Sequence, residues 1–267
     1  MKRGKKIVNR KRYGKKWSRE ETILAFDLYS RTPFGKIHAG NKDIIRLAEL
    51  IGRTPASVGL KMANLASHDP SLSKRGVVAM QHGSKLDSEI WEEYCNDWES
   101  LSYEAKQILN TYEGDNIKET EAVDYTLYPE GITVESTVKE RVGQQFFRNA
   151  VLNAYSRKCC ITGMALSELL IASHIKPWKI SDPKTERTNP RNGLCLNSFH
   201  DKAFDRGLIT IDYSYRIILS PQLKRMAMDD NSRSWLQFYE SKTIQLPDKF
   251  IPDKLFIEYH NDVVYKR

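Results

Sequence analysis

Apolar positions in the first half of the chain recur at helical spacing, whereas those in the second half fall in short runs. Ser18, with Glu21 three residues later, forms a capping-box pattern ahead of an apolar stretch reaching about Tyr29, and Thr32-Pro33 ends it. Ile44, Leu47, Ala48 and Ile51 make the buried stripe of a second helix, with Gly52 suited to its C-terminal cap. Thr54-Pro55 restarts the chain as N-cap and first turn. Val58, Met62 and Leu65 then line one face of a third helix, leaving Ser57, Lys61, Asn64 and His68 on another. Residues 84–113 continue helical, with Ile90, Trp91, Tyr94 and Trp98 as core. Residues 114–134 lose the periodicity and read as a linker. A long helix is expected over about 137–157, with Val138, Val142, Phe146, Ala150 and Leu152 inward and Arg141, Gln145 and Arg148 outward.

From residue 159 the pattern changes. "LLIASHIKPW" is a strand-type run carrying His174 and stopped by Pro177. After a charged loop, Asn192-Gly193 turns the chain into a second short strand, Leu194 to Leu196. Ser198 is placed to cap a short helix bearing His200, Asp201 and Asp205. Residues 207–220 read as a β-hairpin, and the remainder packs back on this part. The predicted fold class is α+β: an all-helical N-terminal domain (17–113) and a strand-loop-strand-helix C-terminal domain (135–267), joined by the 114–134 linker.

Composition changes the picture at one end. The net charge of +8 reflects 42 basic and 34 acidic residues, and residues 1–16 hold nine basic side chains and no acid. Removing those nine leaves the rest close to neutral, so the positive charge belongs to an arm fit to neutralise phosphates. No apolar run reaches membrane-spanning length and no secretory signal opens the chain, so a soluble cytoplasmic protein is expected, with no membrane partner. Cys95, Cys159, Cys160 and Cys195 have neither disulfide-framework nor zinc-knuckle spacing and are expected as free thiols.

The three N-terminal helices, opening at Trp17 and ending in "GRTPASVGLKMANL", resemble Myb/SANT-like and helix-turn-helix modules. That resemblance implies DNA contact by the third helix through Ser57, Lys61 and Asn64. "ASHIKPW" and "NGLCLNSFHDKAFDRGLI" resemble the HNH endonuclease family, of ββα-metal fold. The resemblance implies hydrolysis of DNA phosphodiester bonds with His174 as the general base, Asn192 holding the loop and orienting that base, and a bound divalent cation. Oxygen ligands favour Mg²⁺ or Mn²⁺, and an imidazole ligand would also admit Zn²⁺, Ni²⁺ or Co²⁺.

The family pattern places a histidine nine residues after the motif asparagine and an aspartate four later. Here those positions are Asp201 and Asp205, and the histidine stands one place earlier, at His200. Either His200 is a catalytic or metal-binding residue, or Asp201 has taken the ligand position. Ser173 occupies the place where relatives carry a first-strand ligand. Lys176, Arg187, Arg141 and Arg148 are candidate phosphate contacts. A restriction-type DNA endonuclease is the leading expectation, with duplex cleavage requiring a homodimer or sequential nicking. The alternatives are an inactive DNA-binding regulator and a non-specific antiphage or toxin nuclease.

Overall fold

The structure is a computed structural model in which residues 14–69, 83–113 and 134–267 are described. The basic arm up to residue 13 and the 114–133 part of the expected linker lie outside the described residues. The chain divides into two compact units, Met1–Phe146 and Phe147–Arg267.

The first unit is helical: α1 (Arg19–Ser30), α2 (Lys42–Ile51), α3 (Pro55–Ala66), α4 (Lys85–Tyr94), α5 (Trp98–Glu113) and the start of α6 (Val134–Ala154). The end signals act where the sequence placed them. Ser18 and Glu21 form the reciprocal capping box of α1, Gly52 closes α2 at a φ of 69°, and Thr54 caps α3 ahead of Pro55. The core is aromatic, with Phe26 5.0 Å from the Trp91 ring and 5.5 Å from Trp98. Two buried ion pairs cross it. Arg53 donates to Glu21 at 2.7 and 3.1 Å, and Lys61 meets Asp87 at 2.5 Å.

The second pair corrects the expected DNA-reading face. Lys61 is 5% exposed and is directed at α4, where Asp87 neutralises it. His68 lies 6.0 Å from Trp91 of that same helix, and the Asn64 side-chain Oδ1 is buried without a partner. Ser57 gives its backbone N–H to the Thr54 hydroxyl. The exposed positions of α3 are Ala56 and Leu60, neither of them basic. The third helix therefore has its one basic side chain covered by a fourth helix that carries an acid at the matching height, while Ser57, Asn64 and His68 are half-buried.

The second unit begins at Phe147 within α6. Strands β1 (Leu170–His174) and β2 (Gly193–Asn197) pair antiparallel, from Leu170 opposite Asn197 to His174 opposite Gly193. Helix α7 (Ser198–Asp205) packs against both strands. Asn197 caps it through Oδ1, accepting the His200 amide at 2.9 Å, so Ser198, the expected cap, is instead the first helical residue. The hairpin β3 (Ile209–Ile211) and β4 (Ile217–Leu219) follows. Short helices α8 (Pro221–Arg225), α9 (Asp230–Trp235) and α10 (Lys254–Tyr259) complete the unit.

The end of the chain is seated firmly. The His260 ring stacks on Phe204 at 3.7 Å and its Nδ1 meets the Thr210 hydroxyl at 2.8 Å. Gly207, at a φ of 66°, accepts the Lys266 amide at its carbonyl, and a Cβ there would lie 2.0 Å from the Val264 oxygen. Tyr265 bonds the Leu219 carbonyl. Among the described residues, no helix is long and apolar enough to cross a membrane.

Candidate active site

His174 ends β1, opposite Gly193 on β2. That glycine has a steric purpose. A Cβ on it would fall 2.4 Å from Val151 and 3.0 Å from the Phe147 ring. Without one, Phe147 reaches over the strand and stacks on the His174 ring, with centroids 3.9 Å apart and planes 13° apart. Trp178 meets the imidazole edge-on at 5.4 Å, and Arg187 lies over Trp178 at 5.4 Å. The ring's Nε2 is 2.8 Å from the Arg187 carbonyl, which can only accept, so Nε2 carries the proton and Nδ1 the lone pair. Burial holds the His174 pKa below the usual 6.5, partly opposed by that carbonyl. The result is a rigid, neutral imidazole with one basic nitrogen.

Asn192 fixes the loop that supplies the carbonyl. It is fully buried, accepts the Lys176 amide at 2.8 Å, and donates to the carbonyls of Lys176 and Glu186 at 3.1 and 3.3 Å. It bonds the loop rather than the imidazole, so its hold on His174 runs through the residue after Glu186. Lys176 and Arg187 serve the same loop. Lys176 pairs with Glu186 at 2.6 Å, and Arg187 donates to the Ser181 carbonyl at 3.2 Å. Arg148 donates to the Leu170 carbonyl at 3.1 Å, and Arg141 is exposed on α6.

Successive strand residues face opposite ways. While His174 is turned to Phe147, Ser173 is turned to α7. Its hydroxyl is buried and completes no hydrogen bond, although it lies close enough to Asp201 to favour that carboxylate's charge. The approach is thus a near contact. Burial raises the Asp201 pKa, and burial together with the charge of Asp201 raises that of Asp205. Asp201 and Asp205, one turn apart on α7, share a face, with Asp201 near the Ser173 hydroxyl and Asp205 exposed.

His200 does not join them. It is 1% exposed, its Nε2 is 2.7 Å from the Trp235 carbonyl, and its Nδ1 is 3.1 Å from Asn197 Oδ1. Nε2 donates to the Trp235 carbonyl, and Nδ1 of the neutral ring faces the Asn197 oxygen inside the unit, which corrects the expectation of His200 as a catalytic or metal-binding residue. The cause is the helix start. With Asn197 as the cap, the one-residue offset, worth about 100°, turns the histidine inward and leaves Asp201 near Ser173.

Among the described residues, no group of three or more His, Cys, Asp and Glu side chains is gathered as a metal site. The oxygen groups on this side are the Asp201 and Asp205 carboxylates of α7 and the Ser173 hydroxyl of β1. Their chemistry fits a hard divalent cation: oxygen donors only, an acid whose charge burial disfavours, a second acid that the first one repels, and a buried hydroxyl with nothing to bond.

The sequence reading missed two contributors. The Arg187 carbonyl belongs to the backbone and has no residue signature. Phe147 had one, an aromatic residue in the α6 segment that precedes the strands, but it lies beside the inward stripe chosen there. The three cysteines of this unit, Cys159, Cys160 and Cys195, are buried free thiols as expected.

No curated protein matches the chain. The family model described as HNH endonuclease matches residues 159–212. That segment contains β1, the Asn192 loop, β2, α7 and β3 in order, and in it the chain is similar to the HNH endonuclease family.

Proposed function

We propose that the Phe147–Arg267 unit is a metal-dependent DNA endonuclease in which His174 Nδ1 takes the proton from the attacking water. The observation that carries this reading is the Nε2 contact with the Arg187 carbonyl, because it leaves Nδ1 as a lone-pair nitrogen on a ring clamped by Phe147 and Trp178. The depressed pKa keeps the base neutral at pH 7 and carries activity to pH values below 6.5.

Asp201, Asp205 and the Ser173 hydroxyl would hold the cation, Mg²⁺ or Mn²⁺ by donor chemistry. When bound, such an ion acts as a Lewis acid on the phosphate and steadies the leaving 3′ oxygen. The chain's own residues supply the rest. Arg187 and Phe147 hold the base, and Asn192 locks the loop behind it. A restriction-type setting, DNA as substrate and paired action on a duplex follow from the family pattern.

Plasmid nicking in Mg²⁺ or Mn²⁺ tests the proposal. Wild-type protein should cut, while His174→Ala and Asp201→Asn should not. Full-rate cutting by His174→Ala would reject the base assignment. The absence of a three-group His, Cys, Asp and Glu cluster among the described residues favours a second reading, an inactive DNA-binding regulator. Binding without cutting in every metal would support it.

A further inference from the structure

A continuous set of aromatic rings surrounds the start of α7 on the side opposed to Asp201 and Asp205. Phe199 meets Trp235 at 5.6 Å, the buried His200 links Trp235 to Tyr239 at 5.8 Å each, and Tyr239 meets Phe238 at 5.1 Å. Three of these rings are open to solvent: Phe199 44%, Trp235 37% and Phe238 61% exposed. Large exposed aromatics gathered on one surface are uncommon unless something stacks on them. A cation is interleaved, with Lys242 Nζ 3.0 Å above the centre of the Phe238 ring. Beside Trp235 and Tyr239 opens a cavity of about 440 Å³, walled on its far side by the Thr162–Met164 turn and edged by the Thr162 and Ser234 hydroxyls.

We infer that this surface is a stacking platform for unpaired DNA, with successive bases on Phe199, Trp235 and Phe238 and one splayed base in the cavity between Trp235 and the Thr162–Met164 turn. The occupant is argued from chemistry. A nucleobase is flat and has a π-face for each ring and polar edges for the hydroxyls, and a phosphate suits the lysine on Phe238. An apolar protein segment would not need the cation or the hydroxyls. Phe199 and Asp201 are two residues apart on one helix, about 3 Å of rise and about 200° of turn, so a strand stacked on the rings would have to cross the start of α7 to reach the acidic pair. Asp229 and Asp230 open α9 nearby, so stacking rather than net charge must supply the affinity, and its dependence on salt should be shallow.

The inference takes its DNA from the nuclease reading, but binding can be measured apart from cutting. The full chain bearing His174→Ala, in EDTA, is titrated with fluorescently labelled oligothymidylate and with a duplex of equal length. The expected results are preference for the single strand and quenching of tryptophan emission. Phe199→Ala and Phe238→Ala should each weaken binding about tenfold, the loss of one stacked base. Trp235→Phe should retain most of the binding and lose most of the quenching. Leu255→Ala, an exposed apolar residue elsewhere in the unit, should change nothing, and unchanged melting temperatures would show that the variants fold.

Equal affinity of the phenylalanine variants and the parent, or a duplex preference with no quenching, would overturn the platform. So would a change in self-association in Phe238→Ala without a change in DNA affinity, since the face would then contact protein. Stacking found in a chain that cuts no DNA would uphold the platform and reject the nuclease. Cutting without stacking would do the reverse.

Discussion

The two units differ in how their charged side chains are partnered. In the helical unit, Lys61 is matched by Asp87 and Arg53 by Glu21, and these pairs fasten helices together. In the second unit, the Ser173 hydroxyl completes no bond, Asp201 and Asp205 repel one another, and His174 keeps a free nitrogen. Each unfinished group costs stability, and a fold retains such costs where chemistry uses them. Charged groups are paired in one half, and in the other the acids of α7 and the His174 ring are left for the chemistry proposed above, while the unpartnered Asn64 side chain shows that a missing bond alone does not mark a site.

The sharpest way to break this contrast is His174→Ala. Loss of a positioned base should lower the cleavage rate by about 10²- to 10⁴-fold with little change in melting temperature, read by plasmid nicking and calorimetry. Lys61→Ala is the mirror case. It strands a buried carboxylate and should cost the helical unit about 3–5 kcal/mol in denaturant unfolding, while the isosteric pair replacement Lys61→Met with Asp87→Leu should recover most of that loss. If Lys61→Ala weakens DNA binding without destabilising the chain, the structural assignment is wrong.

Acid provides a third test. Burial pushes His260 down to about 4, and lowers His174 and His200 as well. Below pH 6.5 the unfolded chain takes up protons that the folded unit refuses, so stability falls as pH drops toward the folded values and levels off beneath them. For His260 alone the loss from pH 6.5 to about 4 is roughly 3 kcal/mol. Urea unfolding across that range should show it in the C-terminal transition, and His260→Phe should flatten the slope.

The smallest effect concerns Asp201→Asn. Without metal it should leave stability unchanged or slightly improved, because it removes a disfavoured buried charge. In wild-type protein, Mg²⁺ or Mn²⁺ should raise the melting temperature of the second unit, and in Asp201→Asn that rise should vanish. A rise that persists would place the cation elsewhere.

The sequence announced what local physics controls. Ser18 with Glu21, Gly52 and Thr54-Pro55 each fix a helix end within a few residues, and all three act as read. The β1–β2 pair was legible because apolar runs and Asn192-Gly193 are equally local. Partners far along the chain were not. Nothing near Lys61 reports that Asp87 will cover it, so the polar stripe reads from sequence as a DNA-contacting face. His200 failed on a finer point, since Asn197 and Ser198 are both good caps and the choice between them decides which way the histidine turns.

The contact between Gly207 and the Val264 backbone has a practical meaning for anyone trimming this protein. The family match stops at residue 212, yet Phe204 and Thr210 within it pack on His260, and Leu219 beyond it is bonded by Tyr265. A clone cut to the matched stretch would lose those partners, so a piece meant to keep this interior should run on through Lys266, and a bulky group placed against Gly207 would press on the joint that closes it.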